Sequence, residues 1–133
     1  MTMEILTWDA SLSVGVAQLD NEHRVICGLI NDLLKVAEAG QGIQMQVVEQ
    51  SIHTLLEVIR QHFASEERLL AQAGYPENLA HQQLHRGLEE RLEHLLARKG
   101  LVVNRELADF LRQWFLEHLQ AEDQKYAAFL KSR

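Results

Sequence analysis

Residues 60–85, RQHFASEERLLAQAGYPENLAHQQLH, place His62 four positions before Glu66 and His81 four positions before His85. On an α-helix, residues four apart lie about 40° apart around the axis and one turn apart along it, so each pair can aim two donor atoms at one point. Imidazole and carboxylate donors that converge in this way suit a bound metal ion. The segment Ala73-Gly74-Tyr75-Pro76 separates the pairs. A connection this short can fold one helix back along the other, and Pro76 forbids a continuous helix. The two pairs are expected to face each other.

Two further histidines join them. His23 falls at the start of one apolar stripe and His118 near the end of another, with Glu122 four residues beyond His118 and Asp123 five. Helical spacing alone selects Glu122, because Asp123 stands about 140° around the axis from His118. Five imidazoles and two carboxylates exceed what one ion can use, and match two ions bridged by the carboxylates and a solvent-derived oxygen. Such donors suit iron, zinc, copper or nickel, and two irons are the preferred reading. Cys27, the single cysteine, excludes a disulfide framework and a thiolate site, and reads as a small core residue. Neither Glu-x-x-His nor His-Glu-x-x-His occurs, so neither ferritin-like oxidase chemistry nor a zinc peptidase has a motif behind it. His53 and His94 lie outside the cluster, and Glu67 reads as a solvated carboxylate.

The elements that must position these groups follow from hydrophobic period. The chain of 133 residues is long enough for one domain with its own core, read here as 1–133, with an extended arm over about 1–19 and a helical bundle over about 20–131. Trp8 is expected to anchor the arm. A first helix, capped by Asp20 or Asn21, starts near residue 22, carries His23, Ile26, Ile30 and Leu33 on one face, and stops at Gly40-Gln41-Gly42. A second, over about 44–73, sets His62 and Glu66 in line with Val48, Ile52, Leu55 and Ile59. A third, from 77 or 78 to 99, carries His81, His85, Leu88 and Leu92. After Gly100, Asn104 caps a fourth that runs to about 130 through Leu107, Leu111, Trp114 and His118. Four helices joined by short loops predict an all-α, up-down-up-down antiparallel four-helix bundle. In that topology the start of the first and third helices meets the end of the second and fourth, so all the polar groups converge at one end of the core.

Composition narrows the partners. Hydrophobic residues make up 47% of the chain, but no apolar run approaches the roughly 18 residues of a membrane span, and no signal-peptide pattern opens it. A cytoplasmic protein is expected. With a formal charge of −6 and no cluster of Lys or Arg, neither nucleic acid nor an anionic membrane is an expected partner.

The motifs resemble those of the hemerythrins, most closely the single-domain bacterial ones. The resemblance runs through Trp8-Asp9, Val14-Gly15-Val16, Leu19-Asp20-Asn21-Glu22-His23, His62-Phe63-Ala64-Ser65-Glu66-Glu67, Tyr75-Pro76, His81-x-x-x-His85 and Trp114-x-x-x-His118-x-x-x-x-Asp123. It implies two non-haem irons with an oxo or hydroxo bridge. His81, His85 and His118 would bind one iron and His23 and His62 the other, with Glu66 and Asp123 bridging; the family's acid stands five residues after the histidine, which selects Asp123. The second iron would keep an open position for reversible O2 binding, in a pocket formed by Ile26, Phe63, Trp114 and Phe115. Phe115 departs from the leucine that the family often places three residues before this histidine. The implied role is O2 storage, delivery or sensing rather than enzymatic turnover, with an unidentified protein acceptor or reductant as a further partner. The alternative is a di-iron redox enzyme that reduces peroxide or nitric oxide.

Overall fold

The computed structural model describes residues 6–39, 45–97 and 105–132. Among them every regular element is helical: a 3₁₀ turn (Ala10–Leu12), α1 (Ala17–Ala39), α2 (Met45–Ala73), α3 (Asn78–Ala97), α4 (Arg105–Glu117), a π segment (His118–Glu122) and α5 (Asp123–Lys131). The last three run on as one rod, so the architecture is the expected four-helix bundle. The expected boundaries at residues 40–42, 44 and 98–104 lie outside the described residues.

α1 begins five residues earlier than the cap signal suggested. The Asp20 N–H already donates to the Val16 carbonyl at 2.9 Å, inside the first turn. Its carboxylate does not open a helix of its own but turns back, accepting the Val14 N–H at 2.9 Å and the Ser13 hydroxyl at 2.6 Å. One acidic side chain thus joins arm to helix, where the N-terminal end of the helix dipole also favours it. The arm is tied again at Leu6, whose N–H and carbonyl pair with the Asn31 side chain at 2.8 and 2.9 Å. Trp8 is only half-buried, with the Arg24 guanidinium 5.4 Å from its ring centre. Leu6, Leu12 and Val14 are buried more deeply and share the anchoring.

α2 ends as its sequence directs. Gly74 adopts φ +75°, a region open to glycine at little cost, and the Tyr75 and Gly74 N–H groups close on the carbonyls of Leu70 at 3.0 Å and Ala71 at 3.2 Å. Leu70 and Tyr75 pack in one apolar cluster across that cap, and Pro76 prevents continuation.

Two apolar clusters form the interior. The larger draws Ile26, Ile30 and Leu33 from α1, Ile52, Leu55 and Ile59 from α2, Leu88 and Leu92 from α3, and Leu111 and Phe115 from α4. Each such side chain contributes about 1.5–3 kcal/mol relative to exposure. The smaller cluster contains Val14, Leu19, Leu70, Tyr75, Tyr126 and Ala127. Between the two lies a layer of buried polar groups.

Candidate metal centre

Seven ionisable side chains make up that layer: His23, His62, Glu66, His81, His85, His118 and Asp123, none more than 6% exposed. Each helix delivers its share because the apolar stripe that buries it continues through these positions. His23 lies between Leu19 and Ile26 on α1, His62 and Glu66 between Ile59 and Leu70 on α2, and His81 and His85 about two turns and one turn before Leu88 on α3. The antiparallel packing brings them together.

The fourth rod needs one more device. At His118–Glu122 the helix widens to a π turn, and the Asp123 N–H donates to the His118 carbonyl five residues back. A π segment absorbs one extra residue, so Asp123 takes the place on the His118 face that Glu122 would hold in a regular α-helix. The His118 Nε2 to Asp123 Oδ1 distance is 3.1 Å, whereas Glu122 turns outward to Lys125 at 3.4 Å.

The carboxylate oxygens divide the imidazoles into two groups. Glu66 Oε1 faces His81 Nε2 at 2.6 Å and His85 Nε2 at 3.3 Å, while its Oε2 faces His62 Nε2 at 3.0 Å and His23 Nε2 at 3.4 Å. Asp123 repeats the division, with Oδ1 at 3.2 Å from His81 and 3.1 Å from His118, and Oδ2 at 3.3 Å from His23. One donor group is thus Glu66, His81, His85 and His118, and the other His23, His62 and Glu66, with the donor atoms of each within 4.8 Å of one another.

Several contacts in this layer are poorly satisfied by protein alone. His85 Nε2 and His118 Nε2 face each other at 3.1 Å, although His85 already directs its Nδ1 to Glu67 at 2.7 Å. If Nδ1 carries the proton, Nε2 presents a lone pair to the His118 nitrogen. Both nitrogens of His23 and both oxygens of Asp123 are buried without a hydrogen bond. Leaving buried polar atoms unpaired costs about 1–3 kcal/mol each. Cations placed among these atoms would satisfy them, so the donor set fits metal.

Protonation follows the same pattern. Burial pushes the Glu66 carboxyl upward, but the facing imidazoles of His23, His62, His81 and His85 outweigh it and hold the group well below the usual carboxylate range. Asp123 is likewise depressed, burial and the Glu66 charge being outweighed by His118 and His23. Burial disfavours charge on His62, yet hydrogen bonds to Glu22 and Glu66 raise it to about 9. His81 reaches about 9 against burial through Asp123 and Glu66. In His85 burial prevails and the value falls.

The four residues expected to line a ligand pocket belong to the larger apolar cluster or pack against it, and three of them meet imidazoles of the layer. Phe63 stacks on His85, centroids 3.6 Å apart and planes 3° apart, and half-buried Trp114 stacks on His118 at 4.6 Å and 12°. Phe115 meets His23 edge-on at 6.1 Å. Ile26 is fully buried in the larger cluster. A surface cleft of about 230 Å³, lined by Leu84, Trp114, Glu117, His118, Ala121 and Glu122, reaches the three-histidine group from outside.

Sequence reasoning missed the layer behind the imidazoles. Glu22 holds His62 Nδ1 at 2.6 Å and accepts the Ser65 hydroxyl at 2.8 Å. Glu67, expected to be a solvated carboxylate, instead holds His85 and accepts from Arg86 at 2.9 Å, with its side chain only 14% exposed. The Tyr126 hydroxyl, buried, donates to Glu66 Oε2 at 3.1 Å. Adjacency was the available signal: Glu22 precedes His23 and Glu67 follows Glu66.

Comparison with known proteins agrees with this geometry. The sequence model described as Hemerythrin HHE cation binding domain matches residues 14–130. A bacteriohemerythrin of Stenotrophomonas maltophilia (strain R551-3) is 32% identical over 132 residues, covering 98% of this chain and 84% of that protein. A hemerythrin-like protein of Naegleria gruberi is 28% identical over 123 residues, covering 92% of each. Among solved structures, wild-type hemerythrin superposes with a TM-score of 0.84 at 25% identity, over 94% of this chain and 97% of the other. A leucine-to-phenylalanine mutant does so with the same score at 27% identity, over 95% and 97%. Sequence, fold and buried donor layer agree: the chain belongs to the hemerythrin family.

Proposed function

We propose that this chain is a non-haem di-iron protein that binds O2 reversibly. The division of oxygens carries the reading: Glu66 and Asp123 each turn one oxygen toward the His23 and His62 group and the other toward the three-histidine group. His81, His85 and His118 would hold one iron and His23 and His62 the other, with Glu66 and Asp123 spanning both beside a solvent-derived oxo or hydroxo group. Two irons held side by side supply, when bound, two electrons that O2 can borrow and return. Counted in protein donors, an iron held by His23 and His62 would have one fewer than its neighbour, so these residues would leave room for a ligand.

The remaining residues keep that exchange reversible by withholding protons and water. Ile26, Phe63 and Phe115 are buried apolar groups around the layer, and Trp114 stacks on His118 where the surface cleft meets it. Tyr126, the phenol nearest the bridge, commits its proton to Glu66, and burial together with the Asp123 and Glu66 charges holds it far above its ordinary range. Phe115 presents a larger ring to His23 than leucine would, and narrows the approach on that side. Storage, delivery and sensing all use this chemistry.

The test is an optical spectrum of the anaerobically reduced, iron-loaded protein before O2, with O2 and after purging, with iron counted per chain. Two irons and a visible band that appears with O2 and leaves on purging support the carrier. A band that never forms, or that decays at once with release of peroxide, rejects it in favour of a redox enzyme acting on peroxide or nitric oxide with a protein reductant. No helix among the described residues is long and apolar enough to cross a membrane.

A further inference from the structure

We infer that the residues behind the imidazoles make the two metal positions electronically unequal, with Glu22 the stronger and Glu67 the weaker of two positioning carboxylates, so that the ion held by His23 and His62 has the lower midpoint potential. The inference rests on the di-iron reading above.

Two imidazoles turn their outer nitrogens to carboxylates. Glu22 Oε1 meets His62 Nδ1 at 2.6 Å, and its further partners are neutral: the Ser65 hydroxyl at 2.8 Å on the same oxygen and the Gln18 amide at 3.1 Å on the other. Glu67 Oε2 meets His85 Nδ1 at 2.7 Å, but the same oxygen also accepts the Arg86 guanidinium at 2.9 Å. Arg86 continues to Glu89, Nε to Oε2 at 3.0 Å. The two supports therefore match in length and differ in what stands behind them.

A carboxylate that accepts the Nδ1 proton fixes the tautomer, leaves Nε2 free to bind, and increases electron donation from that nitrogen. Greater donation stabilises the higher oxidation state of the bound ion and lowers its potential. A guanidinium on the same carboxylate oxygen draws electron density away, and a charged donor does so more strongly than a hydroxyl or an amide. His62 is thus the more reinforced ligand. The third imidazole of the other group donates to its own ion and opposes this difference, but reinforcement weighs more where His62 is one of two imidazoles than where His85 is one of three.

Glu22→Gln, Glu67→Gln and Arg86→Met separate these contributions in the full chain. Gln preserves shape, and Arg86 is half exposed and touches no imidazole, so its replacement leaves the donor layer intact. The readouts are iron per chain, the two midpoint potentials from mediated titration, and the Mössbauer spectrum of the half-oxidised form. E22Q should raise the lower potential and alter the ferric doublet. E67Q should raise the higher potential by a smaller amount and alter the ferrous doublet, and R86M should lower the higher potential and narrow the gap. A larger shift in E67Q than in E22Q, the reverse pairing of doublets, or no change in R86M overturns the inference. If the unsubstituted protein binds two irons and releases O2 on purging while any of these contrary results appears, the inference alone fails. If it lacks two irons or the reversible band, the di-iron carrier reading fails and takes the inference with it.

Discussion

Glu66 pairs with His81 and accepts from Tyr126, with His23, His62 and His85 nitrogens within 3.4 Å, and without metal its negative charge and that of Asp123 are balanced only by protons shared among the imidazoles. Tyr126 supplies the one neutral donor, 3.1 Å from Glu66 Oε2. Hydrogen bonds to charged groups are worth about 1.5–3 kcal/mol. Tyr126→Phe should lower the unfolding free energy of the metal-free chain by about that amount in urea titration, and a loss below about 0.5 kcal/mol would show that the phenol does not support the carboxylate. Proton balance also gives the metal-free chain a distinctive pH profile. His62 and His81 are raised from 6.5 to about 9, so their contribution is fully present below their unfolded value and is lost as pH rises through about 9. Glu66 and Asp123 are depressed, so theirs is present above their unfolded values and lost only in acid. The melting temperature of the chelator-treated protein should therefore fall between pH 6 and pH 9.5. In the loaded protein, if these imidazoles hold the metal as proposed, they are already neutral and the fall should be absent. Equal melting temperatures at both pH values without metal would contradict the assignment.

At the level of elements, the helical pairs were legible because a four-residue spacing is a property of the α-helix itself. The choice between Glu122 and Asp123 was not legible from spacing, since that argument assumes 3.6 residues per turn and the chain departs from it at His118–Glu122. Only the motif resemblance pointed to Asp123. The start of α1 was hidden for a related reason: Asp20 is a good cap residue, but its carboxylate serves the loop before the helix. Glu67 was misread because it stands about 100° around α2 from Glu66, off the buried face, yet His85 directs its outer nitrogen into the seam between α2 and α3. A helical wheel shows one helix and no seam. The π segment yields a sharp prediction. Asp123→Ala should reduce metals bound per chain, and Glu122→Ala should not. Deleting the exposed Ala121 should convert the π turn to α-helix, leave the aspartate four residues after His118, and preserve the metal count. Loss of metal in the deletion variant, with helix content intact by circular dichroism, would show that the wide turn itself is required.

For the whole molecule, the bundle was predictable from period and loop length, but the position of the polar layer was only half legible. Sequence placed it at an end of the core; in the structure Leu19, Leu70, Tyr75 and Tyr126 close that end, so the layer is enclosed between two apolar clusters. The far contacts that build the smaller cluster, such as Val14 with residues of α5, leave no trace in local pattern. Enclosure makes metal part of the stability of one region. Removing it should lower the melting temperature and, in hydrogen exchange, expose amides near 62–66 and 118–123 while those near Leu33, Leu55 and Leu92 stay protected. Uniform loss of protection would mean that the bundle unfolds as one unit. The chain also has just two tryptophans, and they stand on opposite groups: Trp8 is 6.1 Å from His23, and Trp114 is 4.6 Å from His118. Indole emission is quenched by a transition metal so close, so the protein carries its own fluorescent gauge. Loading of the centre can be followed from the dimming of its tryptophans without adding a dye.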